Sequence, residues 1–154
     1  MTDPDTFSPE TPSTDTLSED IQDALEELCD QGNEAMDEGE FREAITFFEK
    51  ALEILPAPAD EWEPYGWLQA ALGDAYYGMQ DYNGALEYFH KAYTFAGPDE
   101  VNPFVLLRLG QSYRRLGDAK NALDYLLRAY MLEGEDIFAN DDDDFAFLKE
   151  TAPL

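Results

Sequence analysis

Basic residues are scarce in this chain. Nine Lys and Arg stand against 35 Asp and Glu, for a formal net charge of −26 over 154 residues. Phosphate backbones are bound through basic patches, so the deficit excludes nucleic acid as a partner. An anionic membrane surface is excluded on the same ground. Cysteine and histidine occur once each, as Cys29 and His90. No disulfide can close within the chain, which points to a reducing compartment and a cytoplasmic location. With one thiol and one imidazole, no Cys-His or Ser-His-Asp arrangement has support. His90 is expected near the convex surface of a helix. No glycine-rich phosphate loop is present, since no Lys follows the stretch from Gly73 to Gly78. No apolar run reaches the roughly 18 residues of a membrane span, and Met1–Asp5 lacks the basic and apolar regions of a signal peptide. These absences predict a soluble protein that is not an enzyme and needs neither cofactor nor metal.

What the chain does have is apolar residues, at 44%, and aromatics, at 14%, enough to fill a core. It also has one short pattern three times over: Gly32-Ala35-Ala44-Phe48-Ala51, Gly73-Tyr76-Ala85-Phe89-Ala92 and Gly110-Tyr113-Ala122-Leu126-Ala129. The internal offsets are the same in all three. Such a repeat of helix pairs buries its core between neighbours and leaves one long curved face free to bind.

Residues 1–15 hold Pro4, Pro9 and Pro12, many Ser and Thr, and no Lys or Arg. They have too little apolar surface to offset the entropy of ordering, and they are expected to form a disordered acidic tail. Thr16-Leu17-Ser18-Glu19 fits a capping box with Thr16 as N-cap. Helical spacing then predicts a first helix ended by Gly39 and a second from Phe41 to Leu55, stopped by Pro56. The segment 57–65 is a loop. A third helix spans about Tyr65–Met79, and a fourth from Tyr82 ends at Gly97-Pro98. A fifth starts near Pro103 and turns at Gly117, and a sixth closes at Gly134. A short capping helix over about Asp141–Glu150 should lay Phe145 and Leu148 on the sixth. Asn140 and the four aspartates after it do not make an EF-hand, because Phe145 and Thr151 stand at the sixth and twelfth places where Gly and Glu are needed. They read as a solvated helix start.

These residues resemble the tetratricopeptide repeat family, whose unit is a helix–turn–helix of 34 residues. The copies lie at about 25–58, 66–99 and 103–136. The resemblance implies an all-α fold, a right-handed α-solenoid of three hairpins over 16–136, followed by an acidic capping helix and tail over 137–154. Two departures stand out. Gly32 to Gly73 spans 41 residues and Gly73 to Gly110 spans 37, so extra residues fall between repeats. Gln80 replaces a turn glycine, leaving a left-handed position to be strained or helped by Gly78.

The resemblance also implies binding through the concave face, lined by the first helix of each repeat. The matching positions are Glu26, Cys29, Asn33, Met36 and Asp37; Trp67, Ala70, Ala71, Asp74 and Tyr77; and Phe104, Leu107, Arg108, Gln111, Arg114 and Arg115. That face is acidic at one end, aromatic in the middle and basic at the other. The family's carboxylate clamp for acidic chaperone tails needs Lys, Asn, Asn, Lys and Arg. Those places hold Cys29, Asn33, Ala71, Phe104 and Arg108, so the clamp is rejected. Trp62, between Pro58 and Pro64, is either an exposed anchor or folded back onto helix ends.

The expected function is protein binding without catalysis, to a partner with a basic surface. The chain resembles small stand-alone bacterial repeat proteins that act as immunity proteins or inhibitors for a co-encoded toxin. The alternative is a dedicated chaperone or adaptor that holds an extended client segment in the groove, with Trp67, Tyr77, Phe104 and Leu107 dominating. A homodimer through an end helix stays open.

Overall fold

The computed structural model describes residues 17–152. The expected acidic tail over 1–15, the Thr16 cap and the last two residues lie outside the described residues. Seven α-helices follow in order: α1 (Glu19–Asp37), α2 (Phe41–Glu53), α3 (Glu63–Gly78), α4 (Tyr82–Ala96), α5 (Pro103–Arg115), α6 (Ala119–Glu133) and α7 (Asp142–Thr151). Short 3-10 turns over Ala59–Glu61 and Gly134–Phe138 connect them. Among the described residues there is no strand, and no helix is long and apolar enough to cross a membrane. Helices α1 to α6 pair as three consecutive hairpins, each packed on the next.

Local chemistry explains the helix starts. Ser18 caps α1, its Oγ accepting from the Ile21 N–H at 3.2 Å. The cap therefore sits two residues after Thr16, because Ser18 is the last extended residue before the helix. Asp81 and Asp118 cap α4 and α6 by the same bond, accepting from Gly84 and Asn121, and Asn102 caps α5 by accepting from Phe104 two residues on. Gly39 and Gly117 make the turns within the first and third hairpins at φ 75° and 84°. Gln80 takes the equivalent turn at φ 64°, so the second hairpin keeps the same geometry with an ill-suited residue. Gly78 does not relieve it. It is small because the Phe41 ring of the preceding hairpin lies against its α-carbon.

The repeated pattern has one packing meaning. Phe48, Phe89 and Leu126 are fully buried, and each points at the glycine of the facing helix: Gly32, Gly73 and Gly110. Ala44, Ala85 and Ala122 are completely inaccessible beside them. The small residues let the paired helices approach, and the large one fills the gap. His90 is not on the open convex surface. It is half-buried between hairpins, its Nε2 2.9 Å from the Tyr113 hydroxyl and its ring edge-on to Tyr113 and Tyr125.

Two substitutions should move stability in opposite directions. A methyl at Gly110 would stand 2.6 Å from Cγ of Leu126 and 3.0 Å from its backbone nitrogen. Overpacking costs about 1–3 kcal/mol against about 1 kcal/mol of helix propensity gained, so Gly110→Ala should be less stable. Gln80→Gly removes a left-handed side chain worth about 1–2 kcal/mol and loses about 0.4–1 kcal/mol to chain entropy, so it should be more stable. Urea unfolding at unchanged slope reads both as shifts of the midpoint.

Candidate protein-binding groove

The inner face is built by one stripe from each of α1, α3 and α5. Side chains three, four and seven residues apart share a helix face, which lines up Asn33 with Asp37, Trp67 with Asp74, and Phe104 with Arg108. The structure brings Asn33, Asp37, Trp67, Asp74 and Phe104 together around one open hollow of about 310 Å³, with Phe48 and Ala71 at its floor. Trp67 and Phe104 remain 47% and 41% exposed there, which is unusual for side chains of that size. The Trp67 ring is seated edge-on against Phe48, 5.9 Å between centroids. Glu26 stands apart from this hollow, on an exposed acidic face of α1 with Asp23, Glu27, Asp30 and Glu34. Cys29 is half-buried, and burial together with the Asp30 charge raises its thiol pKa, away from thiolate chemistry.

The third hairpin differs from expectation. Arg108 and Arg114 are neutralised from within by a chain of polar contacts, and Arg115 stays exposed. Arg108 Nε donates to Asp74 at 2.9 Å, and its Nη1 donates to Gln111 at 2.7 Å. Gln111 Nε2 donates to Asp144 at 2.9 Å, and Arg114 Nη1 donates to the other oxygen of the same carboxylate at 2.9 Å. The Arg108 guanidinium also lies 4.7 Å from the Tyr77 ring centre and 4.9 Å from that of Phe104. Burial pushes the Asp74 carboxyl above its usual range, and the Arg108 charge only partly reverses this.

Four sequence expectations are corrected, at Gln111, Leu107, Arg114 and Asp144, and of the two readings of Trp62 the folded-back one holds. Gln111 is fully buried and Leu107 nearly so, both under α7, and neither is free to meet a partner. Arg114 is held by Asp144 and by the Phe147 ring. Trp62 is tucked into the first core cluster, its Nε1 donating to the Pro56 carbonyl at 2.8 Å. It anchors the long connection between the first two hairpins rather than a partner. Asp144 is not a solvated member of the aspartate run, since it is 3% exposed. Sequence reasoning missed it because its neighbours Asp142 and Asp143 are exposed. Its place four residues before the buried Leu148 was the available signal. Helix α7 covers the third hairpin as expected, with Phe145 stacked on Tyr130 and Phe138.

Removing the carboxylate in Asp144→Ala leaves the buried Gln111 amide without an acceptor, at a cost of about 1–3 kcal/mol. Amide exchange within α7 should quicken more than in α2 or α4. Asp74 binds a proton more tightly folded than unfolded, because its native pKa is raised. Its contribution is complete below the ordinary carboxylate range and is lost as pH rises through the native pKa. The stability of the parent protein relative to Asp74→Asn should therefore fall as pH rises from below the ordinary carboxylate range through the raised native pKa, as followed by chemical denaturation.

Two family models described as tetratricopeptide repeat match the chain, over residues 31–96 and 70–142. No protein of curated function matches it. Several solved structures are similar in fold. The Arabidopsis OM64 TPR domain superposes with a TM-score of 0.65 at 18% identity, covering 84% of this chain and 95% of that one. The N-terminal domain of stress-induced protein-1 from C. elegans gives 0.63 at 17% identity, covering 86% and 98%. The TPR protein YrrB gives 0.60 at 25% identity, covering 88% and 76%. Three stacked helix pairs, a glycine seat repeated in each, and two matches that together span 31–142 agree that this chain is built of tetratricopeptide repeats.

Proposed function

We propose that the protein is a non-catalytic binding module that takes a cationic protein partner into the open half of its concave groove. The observation that carries this reading is the pair Trp67 and Phe104, both large, both exposed, and both lining one acidic hollow. Covering such side chains returns about 1.5–3 kcal/mol each, and aromatic anchors of this kind dominate interfaces. Asp37 and the net charge of −26 favour basic groups beside the anchors. YrrB, similar in fold, is described as having an unusual peptide-binding site, which supports a groove that holds a polypeptide segment.

In its most specific form the protein is an immunity- or antitoxin-like inhibitor masking the basic surface of a co-encoded toxin. The acidic face of α1, including Glu26, would supply much of that attraction. The second reading is a chaperone or adaptor that holds an extended client segment, and the exposed aromatic pair favours it. The two differ in which force dominates. Charge masking is screened by salt, whereas an apolar grip is not.

The partner should be captured from its native cells by the full chain and identified by mass spectrometry. Trp67→Ala/Phe104→Ala should lose it, with affinity reduced about a hundredfold or more. Retention of the partner by that double variant would overturn the groove as the binding site. Steep loss of affinity with added salt would assign the masking role, and indifference to salt would assign the client-holding role.

A further inference from the structure

The groove does not end at Trp67. A second hollow of about 490 Å³ adjoins it and shares Trp67, Ala70, Asn102 and Val105 with the first. It lies between the start of α3, the end of α4 and the start of α5, where Phe95 packs onto Gly66. Glu63 and Glu100 stand at its edge, as Asp37 and Asp74 do in the first hollow. No Lys or Arg lines either one. Trp67 is thus an exposed indole between two acidic edges, Asp37 beside the Arg108-paired Asp74 on one side and Glu63 with Glu100 on the other. Glu63 and Trp67 are four residues apart on α3, so this placement follows from a single helix face. Glu100 comes from the connection after α4, in the region where the second and third repeats are spaced by 37 residues rather than 34.

We propose that the partner of this surface is a polypeptide segment with an apolar residue between two basic clusters. The apolar residue sits on Trp67, one basic cluster faces Asp37, and the other passes into the side hollow to meet Glu63 and Glu100. This rests on the groove reading above and extends it to a path and a sequence class. The occupant is foreign. Residues 1–16 carry four acidic residues and no basic one, so the chain's own start is repelled by this surface. A second copy at net −26 is repelled as well. A segment with basic residues on one side only would leave either Asp37 or the pair Glu63 and Glu100 uncompensated.

The test uses the full chain and two synthetic peptides, Arg-Arg-Gly-Leu-Phe-Gly-Arg-Arg and its half, Arg-Arg-Gly-Leu-Phe. Calorimetry and tryptophan fluorescence are measured at low salt. The long peptide should bind at least about tenfold more tightly than the half. Glu63→Gln/Glu100→Gln should erase that advantage while leaving the half peptide unchanged. Glu53→Gln/Glu133→Gln, with the same change in net charge at exposed helix ends, should leave both affinities alone. If Trp67→Ala abolishes binding of both peptides but Glu63→Gln/Glu100→Gln changes neither, the groove stands and the side path is overturned. If the charge control weakens the long peptide as much, the attraction is diffuse and the path is again overturned. If neither peptide binds or shifts the tryptophan signal, the groove reading falls together with its extension.

Discussion

The fit of one bulky side chain against one glycine, made three times, is what everything else in this molecule depends on. Phe48 on Gly32, Phe89 on Gly73 and Leu126 on Gly110 set how closely each helix pair can approach. That distance also sets where the inner stripe of each first helix points. Buried alanines on either side keep the approach uniform, and packing at crystal-like density leaves no room for drift. Departures from regularity are absorbed outside these seats. The long connection between the first two hairpins folds back through Trp62, and the left-handed turn at Gln80 is held by the hairpin around it.

The inner face is then divided by the protein's own last helix. Helix α7 carries one buried carboxylate, Asp144, into the third hairpin, where it meets Gln111 and Arg114. Asp74 reaches the same network from the other side through Arg108. Arg108 and Arg114 are thereby used internally, while Arg115 stays exposed. Arg108 in particular is stacked between Tyr77 and Phe104 and paired with a carboxylate, so it offers little to an incoming acidic tail. What stays open is the part that carries aromatic surface and uncompensated acid. A bare count of basic residues along α5 makes that end of the groove more basic than these pairings leave it.

Much of the fold was legible because tetratricopeptide geometry is local. Period, small residues and turn glycines are written within each stretch of about 34 residues, so hairpins and even the seats could be assigned from spacing. The exposed members of the inner stripe on α1 and α3, such as Asn33, Asp37 and Trp67, were legible for the same reason, since helical periodicity places a residue on a face. Periodicity does not say what covers that face. Leu107, Gln111 and Arg114 have the right phase to line a groove, yet α7 lies over them.

Three helix pairs, their turns, a capping helix and a strongly acidic character can be read along the chain alone, because each follows from residues close together or from a simple sum of charge. Packing between distant elements buries Asp144, turns Trp62 inward and leaves the groove open on one side of Arg108 and closed on the other. Those outcomes depend on contacts such as Asp74 with Arg108 and Gln111 with Asp144, made 34 and 33 residues apart. A pairing across that distance is selected by packing and by the cost of leaving a buried polar group alone, and neither can be read from spacing along one helix.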